Sequence, residues 1–281
     1  MSDGTSTPTT RAAENDTLRL AVTGATGQMG RAVLDAASDR EELSVVLRVN
    51  RDPDPEGSDD FPEPVDPAAD LSRLLDERSP DVLVDFTGPD SAIEYAETCA
   101  NSGVAFVSGT TGFDDAQLER LREAGKKTPL LHATNFSRGI EALSGALEDV
   151  LGALPGYDVE LTETHHNRKR DAPSGTANTL LDRIEASREN QTGTDAKRGM
   201  NERTYGREGA QPREGGEIGV HVRRAGDVRG EHEVLLAGND EVLSLTHRAE
   251  SRAVFAAGAL DAARWLASRE PGRYEFGEVL A

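Results

Sequence analysis

The stretch LRLAVTGATGQMG, Leu18 to Gly30, decides the reading of the fold. Leu18 to Val22 is a short run of strand-forming residues that breaks into a turn carrying Gly24, Gly27 and Gly30. Beyond it Val33, Leu34 and Ala37 recur on one face of a helix, and a second apolar run, Leu43 to Val49, ends at Asn50-Arg51. Strand, glycine turn, helix and strand together form the unit that binds dinucleotides. The three glycines play different parts. Gly24 permits the tight turn, Gly27 lets the backbone approach a pyrophosphate, and Gly30 lets the helix lie close on the strand. Gly24, Ala25, Thr26, Gly27, Gln28, Met29 and Gly30 are therefore candidate cofactor-binding residues, with free N–H groups at the helix start facing the phosphates.

The end of the second strand selects the cofactor. An acidic residue there suits the ribose 2′-hydroxyl of NAD, whereas a nearby arginine suits the 2′-phosphate of NADP. Asn50 and Arg51 hold the position and favour NADPH; Asp52 and Asp54 follow closely and keep NADH open.

Outward from this unit the alternation continues. After a Pro/Asp-rich loop from Asp52 to Asp70 come a strand at Asp81–Phe86, a helix opened by Pro89, and a strand at Val104–Ser108. A helix at Asp114–Ala124 and a short strand at Pro129–Ala133 complete the run. Such alternation predicts an α/β fold with a Rossmann-type, doubly wound parallel sheet. Ligands of these sheets lie beyond the carboxyl ends of the strands. The polar turns at those ends, Phe86-Thr87, Gly109-Thr110-Thr111-Gly112 and Asn135-Phe136, join the glycine loop as one candidate cofactor cleft.

From Ser137 the character changes. A helix to about Leu151 and a strand at Tyr157–Thr164 lead into HHNRKRDAPSGTA, His165 to Ala177, where Pro173 and Ser174 start another helix. Arg188 to Gly216 reads as a long polar loop, and three strands follow at Glu217–Arg224, Val228–Ala237 and Glu241–His247. They imply a second α+β domain on a mixed or antiparallel sheet. A last amphipathic helix, Ser251 to about Ser268, is expected to pack back on the first domain. The expected division is a disordered leader at 1–16, a dinucleotide-binding domain at 17–135 plus 249–281, and a substrate-binding and oligomerisation domain at 136–248.

Composition narrows the function. The chain of 281 residues has 51 acidic and 31 basic side chains, a formal net charge of −20, which speaks against a nucleic-acid partner. Four lysines stand against 27 arginines, and this acidity reads as adaptation to concentrated salt, where the Debye length at about 1 M is only about 3 Å. The longest apolar runs are strand-sized, so no membrane span or signal peptide is expected. Cys99 has no partner for a disulfide, which fits a cytoplasmic protein. No metal site is expected, since adjacent histidines do not present both imidazoles to one ion.

Against this acidity, Arg168, Lys169 and Arg170 form a cationic block beside His165 and His166. Ser174, Gly175 and Thr176 at a helix start offer N–H groups and hydroxyls to a carboxylate, and Lys169 is a compact cation for a second charge. A histidine supplies a general acid near neutral pH. The set predicts a pocket for a small dicarboxylate.

These pieces resemble the dihydrodipicolinate reductase family from about Leu18 to the C-terminus. The matching motifs are GATGQMG at Gly24, DFTGPD at Asp85, GTTGF at Gly109, ATNFSRG at Ala133, ETHHNRKRDAPSGTA at Glu163, RRAGDVRGEH at Arg223 and AESRAVFA at Ala249. The resemblance implies that His165 donates a proton with help from Lys169. It also implies that His166, Lys169, Ser174, Gly175 and Thr176 hold the substrate's carboxylates. Phe86, Thr87, Gly109, Thr110, Thr111, Asn135 and Phe136 would border the nicotinamide, and many members are homotetramers joined through the second sheet. The implied reaction is NAD(P)H-dependent reduction of a cyclic dicarboxylate in lysine and diaminopimelate synthesis. A related two-domain amino-acid dehydrogenase and a non-catalytic nucleotide sensor are the alternatives; the first would oxidise its amino acid, and the second would bind dinucleotide without turnover.

Overall fold

The computed structural model describes residues 17–58, 61–192 and 202–281. The expected leader and residues 193–201 of the expected polar loop lie outside the described residues. The first part alternates β1 (Leu18–Thr23), α1 (Gln28–Ser38), β2 (Leu43–Asn50), β3 (Asp66–Pro67), α2 (Leu71–Arg78), β4 (Val82–Asp85), α3 (Pro89–Ser102), β5 (Ala105–Ser108), α4 (Asp115–Gly125) and β6 (Pro129–His132). There follow α5 (Arg138–Ala153), β7 (Asp158–His165), α6 (Gly175–Thr192), β8 (Arg203–Tyr205), β9 (Ile218–Arg224), β10 (Glu231–Gly238) and β11 (Glu241–Arg248). The chain closes with α7 (Ala253–Leu266), β12 (Gly272–Tyr274) and α8 (Phe276–Val279).

The first sheet is wholly parallel, in the order β12-β6-β5-β4-β1-β2-β3. Its central strands are buried on both faces, which is why they read as continuous apolar runs. One face packs on α1 and α7 through Val33, Ala37, Ala259, Leu260 and Ala263; the other packs on α2, α3 and α4 through Leu74, Leu75, Ile93, Ala96 and Leu121. Each such leucine or isoleucine contributes about 1.5–3 kcal/mol by leaving water. The order of connection reverses between β1 and β4, so a crevice opens at their carboxyl ends.

The second sheet runs β11-β10-β7-β9-β8 and is mixed: β7 is antiparallel to β10 and parallel to β9. Its inner face buries Val159, Leu161, Val220, Val234 and Leu236 under α5 and α6. Ser137 caps α5 by accepting from the Ile140 amide, and Ser174 caps α6 by accepting from the Ala177 amide.

Besides the unanticipated short elements β3, β12 and α8, the structure departs from the sequence reading in four places. Leu71, Leu74 and Leu75 form the buried stripe of α2, a helix not anticipated after the Pro/Asp-rich loop. α6 runs to Thr192, into the stretch from Arg188 read as a polar loop. Arg203–Tyr205, within the expected loop, adds a parallel strand beside β9. The strand expected from Val228 starts at Glu231, because Ala225 donates to His165 and Val228 to Ala225 in an intervening turn.

Candidate active site

The glycine loop has the geometry of an anion cradle. Gly24 has φ +64°, which a side chain would disfavour. A Cβ on Gly30 would fall 2.1 Å from the Gly24 carbonyl oxygen, so α1 sits on β1 only because that atom is missing. Gly27 precedes α1 without a side-chain cap, and the first turn holds no acidic residue, leaving its N–H groups open to an anion. Ala25 is fully buried against Phe61 and Val65, so it offers a ligand only its backbone. Asn50 donates to the Thr26 hydroxyl and ties the end of β2 to this loop, while Arg51 stands exposed beside it.

A cavity of about 510 Å³ lies where the two sheets meet, within the range of small-molecule sites. From the first sheet's turns Met29, Phe86, Gly109, Thr111, Asn135 and Phe136 line it; from the second domain come His165, His166, Lys169, Ser174, Gly175 and Thr176. Asn135 donates to Thr176 across the junction at 2.9 Å. The other candidates, Gly24, Ala25, Thr26, Gly27, Gln28, Gly30, Asn50 and Arg51, sit at or just beyond the ends of β1 and β2, outside the cavity wall. Thr87 and Thr110 also lie outside the wall, with their hydroxyls turned inward to Asp85 at 2.6 and 2.8 Å.

His165 ends β7, and its Nδ1 lies 2.5 Å from Glu163 Oε2. Two residues apart on one strand, both side chains point to one face. Glu163 is fully buried and also accepts both Arg224 terminal nitrogens and the Ser174 amide at 3.1 Å. One carboxylate therefore anchors the imidazole and the start of α6 together. It also fixes the tautomer, leaving Nε2 directed away from Glu163 and next to Gly230. Behind them His232 lies 3.1 Å from the Ser174 hydroxyl and edge-on to His165.

The rim is cationic. Arg229 and Arg252 join His166 and Lys169 around the cavity. Burial, and then the charges of Arg229 and Arg168, press the Arg252 pKa down; burial, and then Arg168 and Arg252, do the same to His166. Lys169 pairs with the more exposed Asp171 at 2.9 Å. Arg168 is turned outward to Asp227. The Nδ1 atoms of His166 and His232 are buried without a partner among the described residues.

Burial pushes the Glu163 carboxyl up, but hydrogen bonds from His165 and Arg224 prevail and hold it at about 2. Burial, reinforced by the His165 charge, drives His232 down to about 3. Both groups bind fewer protons folded than unfolded at acid pH, so stability is lost as the pH is lowered: for His232 from 6.5 to about 3, and for Glu163 from 4.5 to about 2. The melting temperature is expected to drop below about pH 6.5. Melts of His232→Gln, which cannot take up that proton, should show a flatter limb above pH 4.5. An unaltered limb would remove His232 as its origin.

Glu163, His232, Arg229 and Arg252 stood inside quoted motifs without a role. Their roles depend on neighbours that only the fold supplies.

The family model described as "Dihydrodipicolinate reductase, N-terminus" matches residues 18–136, and the one described as "Dihydrodipicolinate reductase, C-terminus" matches residues 139–280. The chain belongs to the dihydrodipicolinate reductase family. A member from Haloarcula marismortui named 4-hydroxy-tetrahydrodipicolinate reductase is 54% identical over 262 residues, 93% of this chain and 98% of the relative. A namesake from Natronomonas pharaonis is 49% identical over 267 residues, covering 94% and 100%. Among solved structures, a dipicolinate-bound dihydrodipicolinate reductase from Paenisporosarcina sp. TG-14 aligns with TM-score 0.71 and 25% identity over 92% of this chain and 97% of that one. An amine dehydrogenase from Mycobacterium smegmatis, 15% identical with TM-score 0.62 over 92% and 95%, shares the fold alone. In this family member the C-terminal match includes α7, which packs on the first sheet.

Proposed function

We propose that this family member reduces 4-hydroxy-tetrahydrodipicolinate to tetrahydrodipicolinate with a nicotinamide cofactor, in lysine and diaminopimelate synthesis. The observation that carries the reading is the cationic cavity opening onto the crevice of a dinucleotide-type sheet, in a chain of net charge −20. Such a pocket concentrates a small dianion that the rest of the surface repels.

The cradle of Gly24, Gly27 and the α1 N-terminus fits a pyrophosphate, and the wall of Phe86, Gly109, Thr111, Asn135 and Phe136 fits a flat ring. When bound, the reduced nicotinamide supplies a hydride. The chain's own residues do the rest. Backbone N–H groups of Gly175 and Thr176 at the start of α6 receive one substrate carboxylate, and Lys169 with His166 receives the other. Arg252 adds charge at the rim. Once the 4-hydroxyl has left as water, holding both carboxylates orients C4 of the resulting C=C–C=N system toward the donor face, which is mostly catalysis by proximity. His165, its Nδ1 held by Glu163, delivers a proton from Nε2 to the atom beside that carbon, and Lys169 supports it.

The test generates the substrate in situ with the upstream aldolase condensation and follows nicotinamide absorbance at low and high salt. Consumption only or mainly in high salt would also support adaptation to concentrated salt. No consumption under either condition would overturn the reductase reading.

NADPH is the preferred cofactor in this proposal, with NADH accepted, because exposed Arg51 follows Asn50 at the end of β2. Arg51→Ala should raise KM for NADPH several-fold more than for NADH; equal effects would undo the preference. The separate cores beneath the two sheets support domains at 17–135 plus 249–281 and at 136–248. We also assign a cytoplasmic homotetramer joined through the second sheet. There edge strand β11 exposes Val242 (64%) and Leu243 (37%), a surface that a partner would cover. Light scattering should give about four times the chain mass of 30.1 kDa; a monomeric mass would exclude it. Among the described residues no helix is long and apolar enough to cross a membrane.

A further inference from the structure

Asp85, the last residue of β4, is fully buried beside the crevice where the strand order reverses. Four hydroxyls donate to its carboxylate: Thr23 and Thr87 to Oδ1 at 2.8 and 2.6 Å, Ser108 and Thr110 to Oδ2 at 2.9 and 2.8 Å. Four donors match the acceptor sites of an ionised carboxylate. All four are neutral, so the negative charge has no countercharge in its first contacts. Burying a carboxylate this way is costly, and apolar side chains of similar volume would join three strands at least as stably. Stability alone therefore does not account for Asp85.

The donors lie at the ends of β1 and β5 and in the turns after β4 and β5. Each hydroxyl has one hydrogen, so donation to Asp85 fixes its rotor and the backbone that carries it. His132 Nε2 lies 2.9 Å from the Thr110 carbonyl oxygen and extends the network to β6. The two turns also touch each other: a Cβ on Gly109 would fall 2.0 Å from the Phe86 ring. Phe86, Gly109 and Thr111 of these same turns line the cavity. Asp85 thus lies directly behind the wall to which the nicotinamide is assigned.

We propose that Asp85 is a positioning residue for hydride transfer, holding the two turns against the nicotinamide and favouring the oxidised ring by its buried charge. The inference rests on the cofactor reading given above. Hydride donation removes two electrons and one hydrogen from the ring and leaves it with a positive charge. The substrate gains that hydride and a proton. A fixed anion behind the ring lowers the energy of the cationic product and of the transition state leading to it.

Fluorescence titration of NADP+ and NADPH onto the wild-type chain, Asp85→Asn and Thr110→Val, together with steady-state kinetics, tests this. Asp85→Asn should weaken NADP+ about tenfold and NADPH no more than about twofold. Thr110→Val keeps the charge, so it should leave the ratio of the two affinities unchanged while lowering kcat about tenfold at constant substrate KM. Affinities that fall together in Asp85→Asn, or do not change, would overturn the proposal. Should Asp85→Asn fail to fold, Thr110→Val decides, and an unchanged kcat refutes the inference. A wild-type chain that binds neither nucleotide would refute the cofactor reading itself and this inference with it.

Discussion

Lys169→Ala is expected to lower kcat about 100- to 1,000-fold while NADPH still binds with wild-type affinity. Lys169 stands in the turn closed by its own amide to the His166 carbonyl, and its side chain is 22% exposed in the cavity wall. Its partner Asp171 is 58% exposed, so the pair is screened by solvent and easily yields to a substrate carboxylate. A bound dianion would replace that weak pair with a desolvated one, and the lysine charge would then act on both binding and proton delivery. Neutral alanine leaves the substrate ring loosely oriented, while the glycine loop is untouched. Steady-state kinetics with a nicotinamide fluorescence titration separates these effects. Unchanged turnover would remove Lys169 from the mechanism, and a parallel loss of cofactor affinity would indicate general disruption instead.

Gly30→Ala is expected to destabilise the fold by about 3 kcal/mol or more and to abolish cofactor binding. The new methyl would meet the Gly24 carbonyl oxygen at 2.1 Å, and Gly24 C and Ala25 Cα at 2.8 Å. All three are backbone atoms of the cradle, so none can rotate away. Either α1 lifts off β1 or the loop opens, and both misplace the N–H groups meant for phosphate. In a chain of this size the melting temperature should fall by about 6–12 °C. Gly27→Ala provides the control: its nearest contact is 3.1 Å, so its stability cost should be much smaller. A Gly30→Ala variant that melts and binds like wild type would show that the close packing of α1 is dispensable.

These two positions differ in how they could be read. Gly30 was legible because its role is local, with strand, turn and helix all within one short stretch. The long helices were legible for the same reason, since α5 and α7 repeat their apolar residues at helical spacing. Strands β3, β8 and β12, of two or three residues, carry no period to detect and exist only because a longer neighbour supplies hydrogen bonds. α2 did carry a signal in Leu71, Leu74 and Leu75, but the Pro/Asp-rich run before it masked the start.

The site divides along the same line. His165, His166, Lys169 and the Ser174-Gly175-Thr176 turn declare themselves by residue type within thirteen positions. Glu163 does not, because its importance arises from Arg224, which β9 brings opposite His165 in register, and from the Ser174 amide. Asp85 is similar: its four hydroxyl donors come from positions as much as 62 residues away, joined by strand order. Thr87 and Thr110 are legible as candidate cofactor contacts, but only the fold shows their hydroxyls turned to Asp85.

The amino-acid sequence by itself determined the parallel α/β architecture, the glycine cradle and the cationic block, because short-range periodicity, backbone freedom and charge are properties of neighbouring residues. Only the tertiary structure decided which buried carboxylates hold His165 and the turns of the cavity wall, and which cations share the cavity. Burial and hydrogen-bond partnership are set by residues distant in the chain, and they exist only once the two sheets have formed and met.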